Sequence, residues 1–328
     1  MKTKAIVINE YGDTSAMQWQ EIDLPDLQAD EVLVKIVTVS FNMIDTYFRK
    51  GLYPMEKPFV LGAEAVGVIE AIGADVIDFD VGDRVASVQP KEGAYAQYRV
   101  LNQASLIKVP DNLDDDTVAA SLLKGMTAQY LLKQTYQVQA GDTIVVYAAA
   151  GGVGSILTQW AKHLGAKVIG ITSTKEKAAL ATQQGADFVI NTSDTPAEKI
   201  AEQVLAYTNG QGVPVVYDSL GKDTFYISLD CLQQRGLLVS YGNATGAVSD
   251  VNLLELAKRG SLYVTRPILF DYISKPGAMK KVADDFFAVI EQGIVKIEIG
   301  QQFALKDAAQ AHLAAESRAT TGSTILKP

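Results

Sequence analysis

The chain has one cysteine, Cys231, in 328 residues. An intrachain disulfide is therefore impossible, and so is a four-cysteine zinc site. A lone thiol suits a reducing compartment, so the cytoplasm is the expected location. Histidine is almost as scarce: only His163 and His312 occur. Long apolar runs are missing too. The opening Met1-Lys-Thr-Lys-Ala-Ile-Val-Ile-Asn-Glu has too few apolar residues before Asn9 for a signal-peptide core. The uncharged stretch 143–161 has the length of a membrane span, but Gly151, Gly152, Gly154, Thr158 and Gln159 interrupt it. There is no repeat, low-complexity tract or flexible linker. Positive charge is in deficit, since 29 Lys+Arg against 38 Asp+Glu leaves −9 at pH 7. That balance argues against a nucleic-acid or anionic-membrane surface.

What is present is an ordinary globular composition, 48% apolar and 20% charged, in a chain long enough for about two domains. The first part reads as β-rich, with strand patterns over 31–39 and 65–72 among turn residues. The four acids in 111–116 suit a solvated loop entering a helix N-terminus. After about residue 124 strands and helices alternate. Strands are predicted over 143–148, 167–172, 188–190, 213–217, 237–241 and 261–265. The first is followed by a helix with Val153, Leu157, Trp160, Ala161 and Leu164 on one stripe, ended by Gly165. A helix over 177–184 stops at Gly185. Thr195-Pro-Ala-Glu198 reads as a capping box opening another. Six strands in this rhythm predict a doubly wound parallel sheet of the Rossmann type. Helices over 280–291 and 308–317 and a strand over 295–299 close the chain. A β-rich domain of 1–123 plus 268–328 is expected, with the nucleotide-binding domain, 124–267, inserted in it.

The sequence Tyr147-Ala-Ala-Ala-Gly-Gly-Val-Gly-Ser155 lies between the first of these strands and its helix. Ala149, Gly151 and Gly154 occupy the three glycine positions of the dinucleotide fingerprint, with Gly152 and Val153 between the last two. Gly151 lets the backbone approach a pyrophosphate, and Gly154 lets the helix pack against the strand. The helix N-terminus offers its N–H groups to that pyrophosphate. An NAD site usually has an acid at the end of the second strand. Here the chain reads Ile171-Thr-Ser-Thr-Lys-Glu-Lys177. Ser173, Lys175 and Lys177 favour an added 2′-phosphate, so NADP(H) is the expected cofactor.

Further motifs carry a resemblance. They are Phe41-Asn-Met-Ile-Asp45, Gly51-Leu-Tyr-Pro54, Leu61-Gly-Ala-Glu-Ala-Val-Gly67, Gly82-Asp-Arg-Val85, Gly93-Ala-Tyr-Ala96, Leu123-Lys-Gly-Met-Thr127, Val216-Tyr-Asp-Ser219, Gly242-Asn243 and Glu316-Ser-Arg-Ala319. Over essentially its whole length the chain resembles the zinc-free quinone oxidoreductases of the medium-chain dehydrogenase/reductase superfamily. The resemblance implies that the β-rich domain is GroES-like and catalytic. It places Asn42 beside the nicotinamide, Thr127 on the cofactor, and Ser173 and Lys177 on the 2′-phosphate. It puts Ser219 in a cofactor turn, Gly242 and Asn243 on the nicotinamide side, and Arg318 on the cofactor from the chain's tail. Tyr47 and Tyr53 are similar to tyrosines that line the quinone pocket. One departure is Thr192 after Ile190-Asn191, where relatives often carry a tyrosine; it puts one phosphate or adenine contact in doubt. A homodimer is also implied, with 261–265 as an edge strand able to pair across a two-fold axis.

Zinc-dependent members of the superfamily use Cys and His ligands. Here the early Cys position reads as Asn42 or its neighbours, and Gly-His-Glu reads Gly62-Ala-Glu64. No metal is expected, and Glu64 reads as a structural or pocket-wall acid. Without a Lewis acid the substrate must accept hydride readily, as quinones and conjugated enones do. The expected chemistry is hydride or electron delivery to a quinone in a cleft between the domains, with Asn42 orienting the nicotinamide. Tyr47 and Tyr53 either donate to the developing oxyanion or simply pack. The alternatives are an alkene or enal reductase on the same fold and a non-catalytic NADPH-binding protein. Cys231 and Trp160 read as core. His163 suits a helix C-terminus, and His312 has no ligand pattern around it. Neither Ser155 nor Ser219 has a His–Asp pair to activate it.

Overall fold

A computed structural model describes residues 1–317 and 319–328, with every one of their side chains except that of Glu92. Arg318, expected to reach the cofactor, lies outside the described residues. The first half of the chain runs β1 Lys2–Ile8, β2 Met17–Asp23, β3 Glu31–Ser40, α1 Met43–Arg49, β4 Phe59–Val60, β5 Glu64–Ile72, β6 Arg84–Ser87, β7 Tyr98–Asn102, β8 Leu106–Lys108 and α2 Asp115–Tyr130. Then come β9 Thr143–Tyr147, α3 Gly152–His163, β10 Lys167–Thr172, α4 Lys175–Gln183, β11 Phe188–Asn191, α5 Ala197–Tyr207, β12 Val213–Asp218, α6 Phe225–Asp230, β13 Leu232–Ser240, α7 Leu254–Lys258 and β14 Tyr263–Thr265. The chain closes with α8 Leu269–Tyr272, α9 Ala278–Glu291, β15 Ile299–Ala304, α10 Ala308–Glu316 and β16 Ser323–Lys327.

Two units result, Met1–Leu123 with Ile297–Pro328, and Lys124–Lys296. The first is built on antiparallel pairing of β3 with β5, β7 and β16, while β1 pairs β2 and β4. In β3 Val32, Val34 and Ile36 face the core while Lys35 between them is exposed, the alternation of a half-buried strand. Leu61, Ile69, Val85, Leu101 and Leu326 complete that core. The second unit holds a six-stranded parallel sheet in the order β11-β10-β9-β12-β13-β14, the Rossmann order. Val145, Tyr147, Ile169, Ile171, Val216 and Leu238 form its core.

The structure departs from the sequence reading in four places. Residues 268–296, expected with the β-rich domain, lie in the second unit. There Phe286 of α9 packs where a Cβ on Gly125 would come within 2.2 Å of its ring. Asp285 accepts from Gln129 and Lys133, and Tyr272 stacks on Tyr130 at 4.4 Å. The expected strand over 295–299 forms later, as β15, because the backbone of Lys296 is taken up by the side-chain amide of Gln159. The capping box at Thr195 does not form. Pro196 keeps an extended ψ of 149°, so α5 starts one residue later and Glu198 falls out of register. Conversely, α4 starts earlier than expected, because Thr174 caps it by accepting from the N–H of Lys177.

Candidate functional site

The glycine turn joins β9 to α3. Ala148 takes a φ of 50°, left-handed for a residue with a Cβ, and its carbonyl accepts from Gly151 at 2.7 Å. A Cβ on Gly154 would lie 2.2 Å from that same carbonyl oxygen, so only glycine lets α3 pack this close. Gly151 is the helix N-cap and offers no side-chain cap. The N–H groups of Gly152, Val153 and Gly154 thus open a helix whose positive end suits a pyrophosphate.

The other expected cofactor residues of this unit sit at the same, carboxyl-terminal edge of the sheet. Ser173 follows β10, and Lys177 lies in the first turn of α4; both are half-buried. Lys175 is exposed and pairs with Asp194 at 4.0 Å, so part of its charge is already balanced. Asn191 ends β11 with an Asx turn to Ser193, and Thr192 after it is exposed. Ser219 follows β12, and Gly242 and Asn243 follow β13. A Cβ on Gly242 would lie 2.2 Å from the Ser219 carbonyl oxygen, so these two loops touch backbone to backbone. Buried Asp218 holds that arrangement by accepting from the N–H groups of Leu220 and Gly221 and the hydroxyls of Thr224 and Ser228. The strand order reverses between β9 and β12, where open α/β sheets bind ligands.

Thr127 is buried on α2. One turn earlier lies a residue that sequence reasoning missed. Lys124, also buried, lays its methylenes where a Cβ on Gly152 would stand, 2.8 Å from Cδ. Its ammonium stem therefore runs along the glycine turn, suited to an anion there. The available signal was that Lys124 is the one charged residue between Asp116 and Lys133.

The first unit brings Asn42, Tyr47 and Tyr53 together around α1. Asn42 is the N-cap residue. Its backbone N–H donates to Asp45 Oδ2 at 2.9 Å, while its side chain turns to Glu64. Tyr47 and Tyr53 meet edge to face at 5.5 Å, because the N–H groups of Leu52 and Tyr53 fold back onto the Tyr47 carbonyl. Both rings are half-buried. Elsewhere, Cys231 and Trp160 are buried, and burial pushes the Cys231 thiol up to about 12, which makes it inert.

This parallel sheet, with its uncapped glycine turn and no acid at the end of β10, defines a dinucleotide-dependent dehydrogenase or reductase. Known proteins agree. Residues 28–111 match the family model described as alcohol dehydrogenase GroES-like domain, and residues 152–284 the one described as zinc-binding dehydrogenase. A quinone oxidoreductase of Pseudomonas aeruginosa is 48% identical, covering 99% of both chains. A 2-haloacrylate reductase of a Burkholderia species is 42% identical over 99% of this chain and 98% of its own. The crystal structure of Escherichia coli quinone oxidoreductase complexed with NADPH superposes with a TM-score of 0.96, at 41% identity, covering 99% of this chain and all of that one. The chain belongs to the quinone oxidoreductase family of the medium-chain dehydrogenase/reductase superfamily.

The residues do not fit the zinc that the second model's description names. Asn42 or its neighbours, and Ala63, stand where the resemblance would put the Cys and His ligands. Glu64 accepts from the Asn42 amide at 2.8 Å and from the Leu123 N–H at 2.7 Å. Among the described residues no three of His, Cys, Asp and Glu are grouped to hold a metal.

Proposed function

We propose that this protein reduces quinones with NADPH, by hydride or electron transfer without a catalytic metal. The observation that carries the reading is the Asn42–Glu64 pair, an amide held by a carboxylate at the expected ligand position. The relatives named quinone oxidoreductase, one of them solved with NADPH, support it. Bound NADPH supplies a hydride; the chain's residues bind, orient and exclude water. Gly151, Gly152, Val153 and Gly154 hold the pyrophosphate with Lys124 beside them. Ser173 and Lys177 take the 2′-phosphate. Thr127, Ser219, Gly242, Asn243 and Arg318 complete the cofactor contacts. Asn42, fixed by Glu64, orients the nicotinamide. Tyr47 and Tyr53 flank the quinone, and a tyrosine hydroxyl donates a hydrogen bond to the oxygen that gains charge.

Two further parts of the reading concern setting. A homodimer is supported by β14, the last strand of the parallel sheet, whose Tyr263 and Val264 are exposed, as are Leu253, Leu254 and Ile268. A cytoplasmic location rests on the lone, buried Cys231. Among the described residues no helix is long and apolar enough to cross a membrane.

The test follows NADPH absorbance with benzoquinone, phenanthrenequinone and an α,β-unsaturated ketone, each with EDTA present. Quinone-dependent oxidation that survives EDTA supports the reading. Turnover with the enone alone replaces it by alkene reduction, and tight NADPH binding without turnover replaces it by a binding role. Tyr47→Phe and Tyr53→Phe address the donors: full turnover in both variants means neither hydroxyl acts. Light scattering of the eluted protein decides the dimer.

A further inference from the structure

A buried polar assembly of four side chains lies in the first unit. Asp45, Arg49, Tyr95 and His312 are all fully buried. Arg49 Nη1 faces His312 Nδ1 at 3.0 Å, and a guanidinium can only donate. Nδ1 is therefore bare, and the imidazole carries its proton on Nε2. That nitrogen faces the Tyr95 hydroxyl at 3.2 Å, so the hydroxyl oxygen accepts. The hydroxyl proton is left for Asp45 Oδ2, at 3.0 Å. Asp45 Oδ2 also accepts the backbone N–H of Asn42. Every bond has one direction: Arg49 to His312 to Tyr95 to Asp45, with Asn42 donating in from the other end.

The chain of bonds spans both ends of α1. Arg49, in its last turn, also donates to Glu316 at 2.8 Å and to the Gly12 carbonyl at 3.3 Å. Lys50 pairs with Glu316 as well. The helix that Asn42 caps and that carries Tyr47 is thus gripped by α10 through His312 and Glu316.

We propose that His312 is a positioning residue for the reduction, its neutral Nε2–H imidazole setting the aim of Asn42 through Tyr95 and Asp45. This rests on the reading above that Asn42 orients the nicotinamide. The neutral state is the stable one: burial, then the charges of Arg49 and Lys50, push the imidazole down to about 3. Glu316, Asp45 and Tyr95 are the other titratable groups of the network. A glutamine can imitate the arrangement, its oxygen accepting from Arg49 and its amide donating to Tyr95. A leucine cannot.

The experiment compares His312→Leu, His312→Gln and Tyr95→Phe with the parent protein in three measurements. These are thermal unfolding, NADPH affinity, and the emission anisotropy and lifetime of the bound reduced nicotinamide at saturation. Quinone turnover is measured in parallel. Positioning predicts a more mobile nicotinamide in His312→Leu and Tyr95→Phe, recovered in His312→Gln, with NADPH affinity changed less than about three-fold. It predicts kcat lower by about ten- to a hundred-fold with KM for the quinone little changed. Lower unfolding temperatures with unaltered nicotinamide emission in both His312→Leu and Tyr95→Phe would overturn it, leaving a merely structural role. The emission needs no acceptor, so a parent protein that reduces no quinone sinks the proposed reaction and leaves this test decisive.

Discussion

The side-chain amide of Asn42 donates to Glu64 Oε2 at 2.8 Å, and the other carboxylate oxygen takes the N–H of Leu123 at 2.7 Å. One buried carboxylate thus ties the start of α1 to the middle of α2. Glu64→Ala removes the acceptor of both groups, and the cost is about 1–3 kcal/mol for each. Glu64→Gln keeps one acceptor and costs about half as much in all. Urea unfolding measures this, and turnover should fall in both variants. An alanine variant as stable as the parent would remove Glu64 from its organising role.

Two glycines of the turn should separate folding from binding. In Gly154→Ala the new methyl meets the Ala148 carbonyl at 2.2 Å, so the turn must shift. Overpacking of this kind costs about 1–3 kcal/mol of stability, and NADPH affinity should fall by about ten-fold or more. In Gly151→Ala the same contact is 3.1 Å. Stability should stay close to the parent's while NADPH affinity falls. Calorimetry with thermal unfolding reads both; an unfolding loss in Gly151→Ala equal to that in Gly154→Ala would contradict the distinction.

Lys177→Ala and Ser173→Ala test which dinucleotide the β10–α4 turn selects. A charge-assisted hydrogen bond is worth about 1.5–3 kcal/mol, so Lys177→Ala should weaken NADPH binding about ten- to a hundred-fold and leave NADH nearly unchanged. Asp194→Asn should strengthen NADPH binding modestly, because Lys175 loses its partner at 4.0 Å. Equal Kd values for NADPH and NADH in the parent protein would sink the assignment of NADP(H).

Acid should destabilise this fold through His312. Burial and the charges of Arg49 and Lys50 push its imidazole from the ordinary 6.5 down to about 3. Below 6.5 the unfolded chain takes up a proton that the folded chain refuses. The contribution is therefore complete above 6.5 and is lost as pH falls toward 3. Its slope is about 1.4 kcal/mol per pH unit, or about 2 kcal/mol between 6.5 and 5. Urea unfolding at about pH 7 and about pH 5 should show this loss in the parent and a smaller one in His312→Gln. An identical loss in the two proteins would place the acid sensitivity elsewhere.

Much of the nucleotide-binding unit was legible because its signals are local. Apolar runs mark β9, β10 and β12, and the glycine turn needs only neighbours within a few residues. The apolar stripe of α3 ends where Gly165 takes a φ of 88°. Asn42, Tyr47 and Tyr53 were candidates through the resemblance, on the motifs Phe41-Asn-Met-Ile-Asp45 and Gly51-Leu-Tyr-Pro54 and the residues close to them. What grips them was not legible. His312 reads as an isolated histidine, because its partners Tyr95 and Arg49 are 217 and 263 residues away. Lys124 gave a clue only as a lone charge in an apolar helix, and its place along Gly152 needed the packing of α2 against α3.

By itself, then, the sequence determined the parallel sheet, the dinucleotide turn and the lack of zinc ligands. Each follows from residue types and spacings that act over a few positions, or from side chains simply missing from the chain. The tertiary structure alone decided that 268–296 joins the nucleotide-binding unit, where Gly125 leaves room for Phe286. It alone decided the tautomer of His312, and Glu64's part in holding Asn42. These depend on groups far apart in the chain meeting in a buried place, where each donor must find an acceptor or forfeit its hydration.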